Sequence, residues 1–419
     1  MNFQAMPPEV LAQERGLIGI DEARERAASY AGSGLATEVA PLVCAAGRVL
    51  AADLRARHAQ PPFDNSAMDG YAAFTNGEPL EAGSRLQVTS RTPAGSVATP
   101  ISPGTCARIF TGASLPAGAD AVVMQEHVLR DGDHIVLRRA LMPGDNIRRQ
   151  GEDIQPGELL LSAGQRLDAR HVALIASQGH ALVRIQQRIR VGVISTGREL
   201  VQPGRELEAA QIYDSNRPML ATLAAHAGAE VVDGGWVDDE ADALAARMQD
   251  LAATCQLVVT TGGASVSEED HSFAALKRAG GHGEVLRIAL KPGKPAVVGR
   301  MGEAAYLGLP GNPVAALVSW LMLGSAVLGR LRGFDFERPR GEPLTCAVAH
   351  QRRPGRTEFA PARVVTRPDG GKGLEILGRG GSARLMPLVL ADGLAEIPAA
   401  VAHVPAGMEL AFHRFGGCA

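Results

Sequence analysis

Between Arg188 and Gly333 short β-branched runs alternate with stretches of helical apolar spacing, and this alternation constrains the fold more than any other feature of the chain. Three strand-loop-helix units stand out: "RVGVISTG" ending at Gly197, "CQLVVTTGGASVSEED" running through Gly262 and Gly263, and "AAYLGLPGNPVAALVSW" turning at Gly311. In the third, Asn312 suits an N-cap and Pro313 the first helical position. Such a series predicts a parallel sheet wound with helices, an α/β domain spanning 188–335. Ligands of open α/β sheets sit beyond the carboxyl ends of the strands, so the three loops and the "LKPGKP" turn are expected to share one crevice.

The rest of the chain reads differently. Residues 61–150 are rich in Gly and Pro and broken into strand-like pieces such as "CARIFTG" and "AVVMQEHV", which predicts a small β-rich domain. Helical patterns flank it in "IDEARERAASY" and "ARHVALIASQG", so residues 1–60 and 151–187 are assigned to one discontinuous linking lobe. After the α/β domain, residues 336–419 alternate apolar and polar side chains between turns, as a C-terminal β-barrel-like domain does. With 419 residues, multiple domains are expected.

Composition matters for the functions it excludes. A net charge of −3 and 4% aromatics lack the basic face and stacking rings of a nucleic-acid binder. The five cysteines are scattered without CxxC or Cys/His spacing, so neither a disulfide framework nor a zinc site is indicated, and a reducing cytoplasm fits. No signal peptide is read at the N-terminus. The most apolar stretch, Ala315 to Gly329, falls short of the roughly 20 residues of a membrane span and is read as a buried helix.

Candidate chemistry concentrates in loops. "PPFDNSAMDGYA" offers Asp64 and Asp69 with no cation beside them in the sequence, and "NIRRQGEDI" offers Glu152 and Asp153 after Arg148 and Arg149. Taken singly these are turn residues, but hard carboxylate oxygens are also what holds Mg²⁺ beside a phosphate. Glu199 and Asp270 fall just beyond strand ends, where a carboxylate either caps the next helix or meets a ligand. Gly262–Gly263 lacks the spacing of a dinucleotide fold or a P-loop. In "RIALKPGKP", Arg287, Lys291 and Lys294 lie in or beside a backbone stiffened by Pro292 and Pro295, and pinned cations suit a polyanion. No serine elbow, Cys/His pair or HExxH supports covalent hydrolysis or zinc proteolysis.

The segments "PPFDNSAMDGYA", "RIFTGA", "NIRRQGEDI", "STGREL", "IYDSNRPML", "TTGGASVSEED", "LKPGKP" and "GLPGNP", in this order, resemble the molybdopterin molybdenumtransferase family. The resemblance implies reaction of adenylylated molybdopterin with molybdate to give molybdenum cofactor and AMP, with Mg²⁺ as cofactor. It implies four domains, one akin to the molybdopterin adenylyltransferase, a homodimer with a shared cleft, and transient contact with that adenylyltransferase. Carried over motif by motif, Asp69, Asp153, Glu199, Asp238, Asp270, Lys291 and Lys294 are the expected catalytic positions. Asp69, Asp153, Glu199 and Asp270 are the expected metal ligands. Thr111, Gly262, Gly263, Arg287, Pro310, Pro313, Arg356 and Ser382 are the expected substrate contacts. Arg198, where the family often has an acid, Ser267, where Gly is common, and Arg287, where Lys is also seen, depart from the pattern. The alternatives are the adenylyltransferase step, which would not need the N-terminal motifs, and a non-catalytic scaffold on the same fold.

Overall fold

A computed structural model describes residues 16–32, 34–262, 271–333, 341–378 and 383–416. The chain divides into two compact units, one made of Met1–Glu38, Gly47–Val49 and Ile185–Ala419, the other of Val39–Ala46 and Leu50–Arg184.

The first unit is built on a six-stranded sheet in the order Glu230–Val237, Arg190–Thr196, Leu257–Thr261, Ala304–Leu309, Pro295–Met301, His282–Arg287. The first four strands are parallel, as the alternation predicts, whereas Pro295–Met301 runs antiparallel to both of its neighbours. That departure has a local cause: Met301 pairs with Ala304 across Gly302–Glu303, and a two-residue connection with Gly302 at φ +54° folds the chain straight back.

Side chains alternate across this sheet into two cores. Val191, Val193, Leu257, Val259 and Leu307 meet helices Asn216–His226 and Pro313–Ser319 on one face. Ile194, Val258 and Tyr306 meet Ala241–Ala252 and His271–Arg278 on the other. Helices on both faces of a largely parallel sheet make the domain doubly wound. The chain leaves Arg190–Thr196 to build one neighbour and later returns to build the other, so the order reverses between Arg190–Thr196 and Leu257–Thr261.

Helix Ile20–Ser29, placed in the linking lobe by its sequence position, buries Ile20, Ala23 and Ala27 in the first of these cores. Apolar spacing announces an amphipathic helix but not the sheet it covers. Its Arg24 donates to Met322 O at 2.6 Å, within the π turn Trp320–Gly324.

The apolar helix is longer than its sequence core indicated. It runs continuously from Pro313 to Arg332, 20 residues whose most apolar 18-residue window has a mean hydropathy of 1.7, so length alone does not set it apart from a membrane span. Burial does the distinguishing, since 83% of its most apolar window is packed inside the protein.

The C-terminal sheet orders Leu290–Lys291, Thr357–Thr366, Gly393–Ile397, Glu409–Arg414 and Glu342–Thr345, with Lys372–Ile376 on Thr357–Thr366. Its Phe359 and Leu394 reach the α/β core.

The second unit holds the small β domain, a six-stranded sheet ordered Ala121–Met124, Gly70–Ala73, Thr105–Ile109, Arg85–Thr92, His134–Leu137, Val128–Asp131. Tyr71, Cys106, Val123 and Ile135 fill one face of it, and Ala72, Ile109 and Val122 the other. The same unit contains the pair Leu54–Arg55 and Leu159–Leu161 and the helix Ala169–Ser177, capped by Asp168.

Candidate active site

The loops at the carboxyl ends of the α/β strands are drawn together by close backbone approach and by one asparagine. Gly262 has φ +99°, and a Cβ there would lie 2.0 Å from Thr196 O, so only glycine lets its loop cross the neighbouring strand end. Asn216 Nδ2 donates to Thr261 Oγ1 at 2.8 Å and to Gly311 O at 2.6 Å, and Thr261 Oγ1 donates to Pro310 O at 3.1 Å. The helix after Gly311 begins as expected, with Asn312 at the N-cap and Pro313 behind it. Asn312 makes no side-chain cap to the first turn.

The "KPGKP" loop docks on that same helix. A Cβ on Gly293 (φ +114°) would meet Ser319 Oγ at 2.6 Å and Ala315 O at 3.6 Å. Lys291 is not the unopposed cation that its neighbours in sequence suggest: Nζ lies 2.9 Å from Glu358 Oε1. The cause is the fold, since Leu290–Lys291 pairs in parallel with Thr357–Glu358 at the edge of the C-terminal sheet. The second Glu358 oxygen faces Arg352 Nε at 3.5 Å. The Arg352 side chain is 1% exposed and that of Glu358 7%.

Arg352 also donates to the carbonyls of Arg353, Ile397 and Arg356, and burial pulls its pKa below the usual guanidinium value. Burial likewise lowers His350, which feels the charges of Glu358, Lys291 and Arg352. Arg356 Nη1 donates to Leu290 O at 3.2 Å, tying a third cation to the loop. Lys294 is half-buried with no hydrogen bond or ion pair to its ammonium among the described residues, and Arg287 is exposed at a strand end.

At the other end of the crevice Glu199 is exposed, and its carboxylate folds back into the space a Cβ on Gly197 would fill, 2.8 Å from that position. It is not a helix cap, because the next helix starts only at Asn216. Asp238 Oδ1 accepts from Asp239 N at 2.8 Å and faces Arg198 Nε at 3.4 Å. Its neighbour Asp239 makes the more specific contacts, accepting from Thr196 Oγ1 at 2.7 Å and Arg198 N at 3.3 Å.

Sequence reasoning missed Asp239, and it missed a buried network behind the loops. Ser195 Oγ donates to Asp214 Oδ2 at 2.5 Å, Arg217 Nε donates to the same oxygen at 3.0 Å, and Arg217 Nη1 reaches Asp233 at 2.6 Å. Asp214, Asn216 and Arg217 all stand in "IYDSNRPML", so the signal was the clustering of polar residues in a motif between strand and helix. Gly263, Asp270, Ser267 and Ser382 lie outside the described residues.

In the second unit Asp69 and Thr111 are brought together. The strands that follow and precede them pair with Gly70 opposite Ile109, which returns Thr111 to Asp69. Thr111 N and Oγ1 both donate to Asp69 Oδ1 at 2.8 Å, and these two bonds, the backbone one first, hold its pKa below the usual carboxylate value. Gly70 is required next to it, since a Cβ there would sit 1.9 Å from Val123 O.

Asp64 does have a cation, contrary to its sequence surroundings: Arg149 Nη1 donates to it at 2.7 Å across 85 residues of chain. The Gln150 backbone N–H, with Arg149 adding to it, keeps the Asp64 pKa low. Asp153 is exposed with no side-chain partner among the described residues. No group of three His, Cys, Asp or Glu side chains converges into a metal centre among the described residues, which do not include Asp270.

Residues 18–179 match the family described as MoeA N-terminal region (domain I and II), 192–330 match a probable molybdopterin binding domain, and 343–415 match MoeA C-terminal region (domain IV). The chain is 36% identical over 346 residues to the molybdopterin molybdenumtransferase of Haemophilus influenzae, covering 82% of this chain and 85% of that one. It is 37% identical over 381 residues to molybdopterin molybdenumtransferase 2 of Mycobacterium tuberculosis, covering 88% and 93%. The chain belongs to the molybdopterin molybdenumtransferase family. A crystal structure of the molybdopterin biosynthesis MoeA protein from Pyrococcus horikoshii superposes with a TM-score of 0.76 at 29% identity, covering 96% of this chain and all of that one. Against the family pattern, Arg198 turns from a lost acid into a partner for Asp238.

Proposed function

We propose that this member of the molybdopterin molybdenumtransferase family inserts molybdenum from molybdate into adenylylated molybdopterin and releases AMP. The observation that carries the reading is the "KPGKP" loop, with Lys291 and Lys294, docked on the helix whose N-terminus follows "GLPGNP". Both reacting partners are anions, and a pair of lysines beside a helix N-terminus is suited to holding them. Lys291 and Lys294 neutralise oxyanion charge, Arg356 and the Pro310 to Pro313 turn line the same loops, and Glu199, Asp238 and Asp239 face the nucleotide end. Asp69 and Asp153 belong to the second set of acids that the family brings to the reaction.

The donor set fits Mg²⁺. This ion is commonly held by one or two carboxylates together with substrate phosphates rather than by an all-protein cage, which agrees with exposed Glu199 and half-buried Asp238 and with the lack of a three-ligand cluster among the described residues. When bound, the ion would neutralise charge on the pyrophosphate. Assembly as a homodimer with a shared cleft, in the cytoplasm and in transient contact with the adenylyltransferase, completes the proposal.

The test is AMP release from adenylylated molybdopterin with Mg²⁺, with and without molybdate, in the wild type, Asp69→Ala and Lys291→Ala. Molybdate-dependent release that both variants lose supports the reading. Binding of the substrate by the wild type without release of AMP would overturn it in favour of a scaffold.

A further inference from the structure

Strand Glu230–Val237 carries an irregularity just before its end. Val193 pairs with Asp233 and Ile194 with Gly235, so Gly234 is an extra residue bulged out of a parallel ladder. The sequence is made for it. A Cβ on Gly234 would meet Ile194 Cγ1 at 2.6 Å and Val193 O at 2.7 Å, and Gly235 takes φ +74°. Asp233 locks the bulge by accepting from Gly235 N at 2.8 Å while Arg217 holds its carboxylate, and Arg247 Nε binds Gly234 O at 2.9 Å.

A bulge shifts the side-chain alternation by one from there to the strand end, and bulges beside active sites re-aim side chains in this way. The residue re-aimed is Trp236. Its Nε1 donates to Gly197 O at 2.8 Å, which anchors one edge of the indole on the loop beside the point where the strand order reverses, yet the residue remains 45% exposed. Around that loop stand Glu199, Arg198, Asp238 and Asp239. A large aromatic surface, fixed by its own hydrogen bond and left open among polar groups, is poorly explained as packing.

We infer that Trp236 is a substrate-binding contact of this crevice, a fixed platform on which a planar heteroaromatic ring of the substrate stacks. The inference rests on the reading under Proposed function for the identity of that substrate, which offers two such rings, the adenine of the nucleotide and the pterin. Stacking on an aromatic face is indifferent to which ring is offered, because each presents a π-face.

The chain has two tryptophans, and the other, Trp320, is 4% exposed, so Trp236 is the accessible reporter. Tryptophan emission is followed while AMP and, separately, neopterin are titrated into the full chain, with Trp236→Phe, in which Trp320 alone emits, as the control. Quenching by AMP assigns the platform to adenine, and quenching by neopterin assigns it to the pterin. Turnover of adenylylated molybdopterin is measured alongside.

Trp236→Ala is expected to raise KM about tenfold with kcat nearly unchanged, the size expected for loss of one stacked ring. Trp236→Phe is expected to stay within about threefold of wild type, because it keeps a ring while losing the bond to Gly197. Equal KM losses in the Phe and Ala variants would mean that the Gly197 bond, not the ring face, is what matters, and would overturn the inference. So would unquenched emission with both probes in a protein that turns over its substrate. A wild type that quenches but releases no AMP fails the proposed reaction and leaves the platform standing.

Discussion

Glu358 sits between two cations, and replacing it separates the stability of the C-terminal sheet from the chemistry of the lysine loop. In Glu358→Gln the shape is kept, but the Arg352 guanidinium, 1% exposed, loses its counter-charge and keeps only backbone carbonyls. Removing one partner of a fully buried pair costs about 3–5 kcal/mol. The 3.5 Å separation and the lack of a hydrogen bond on Glu358 Oε2 place this pair at about 3 kcal/mol, the lower end of that range. At about 2–4 °C per kcal/mol for a large domain, the transition should fall by roughly 6–12 °C.

Lys291→Met is the contrast. The lysine side chain is 32% exposed and Glu358 keeps Arg352, so the loss should stay near 1 kcal/mol, the scale of a partly exposed ion pair. Activity should respond in the opposite order, with Lys291→Met the more damaged. Scanning calorimetry at pH 7.5 measures both transitions, and the double variant gives the coupling between the two sites. A Glu358→Gln protein that melts within a degree of wild type, or a Lys291→Met protein that melts lower, would refute the idea that Glu358 is there chiefly for Arg352.

Other expectations follow from single contacts. Gly262→Ala puts a methyl 2.0 Å from Thr196 O at φ +99°, so the loop must move; stability should drop by more than the roughly 1–2 kcal/mol of a left-handed non-glycine residue, and KM should rise. Asn216→Ala removes the bonds to Thr261 and Gly311, and hydrogen exchange at the amides of Gly311 and Asn312 should speed up while the sheet strands keep their protection. Burial raises the pKa of the Cys255 and Cys346 thiols and pushes Cys106 up to about 12, whereas Cys44 is exposed. Brief alkylation of the native protein followed by peptide mapping should therefore label Cys44 and spare those three.

The lowered pKa values of Asp64 and Asp69 mean that their stabilising bonds are fully present above the ordinary carboxylate range of about 4 and are lost as pH falls through the depressed values. Circular-dichroism melts should decline gently from pH 7 to about 5, as protonation of half-buried His350 and His180 becomes costly, and more steeply below that as the carboxylates protonate. Asp64→Asn should start lower and lose less on acidification.

What could be read in the sequence was whatever one element determines by itself. Val191, Val193, Leu257 and Val259 announce buried strands through apolar runs, and Asn312–Pro313 announces a helix start, because both signals are local. What escaped needed two elements at once. Asp64 looked free of cations because Arg149 is 85 residues away, and Lys291 looked unpaired because Glu358 arrives only when the C-terminal sheet annexes Leu290–Lys291.

Asp238 and Asp239 illustrate the limit most sharply. Neighbouring acids cannot be ranked from sequence, since the choice depends on where the strand ends and which side chain then meets Thr196. That strand end is displaced by the Gly234 bulge, so the glycine pair in "DGGW" decides the aim of every side chain after it. A reading that treats Gly234–Gly235 as a turn assigns Trp236 to no face at all. Once the bulge is placed, the same four letters specify an anchored indole at the rim of the crevice, which is why this aromatic carried no functional signal until the register of the ladder was known.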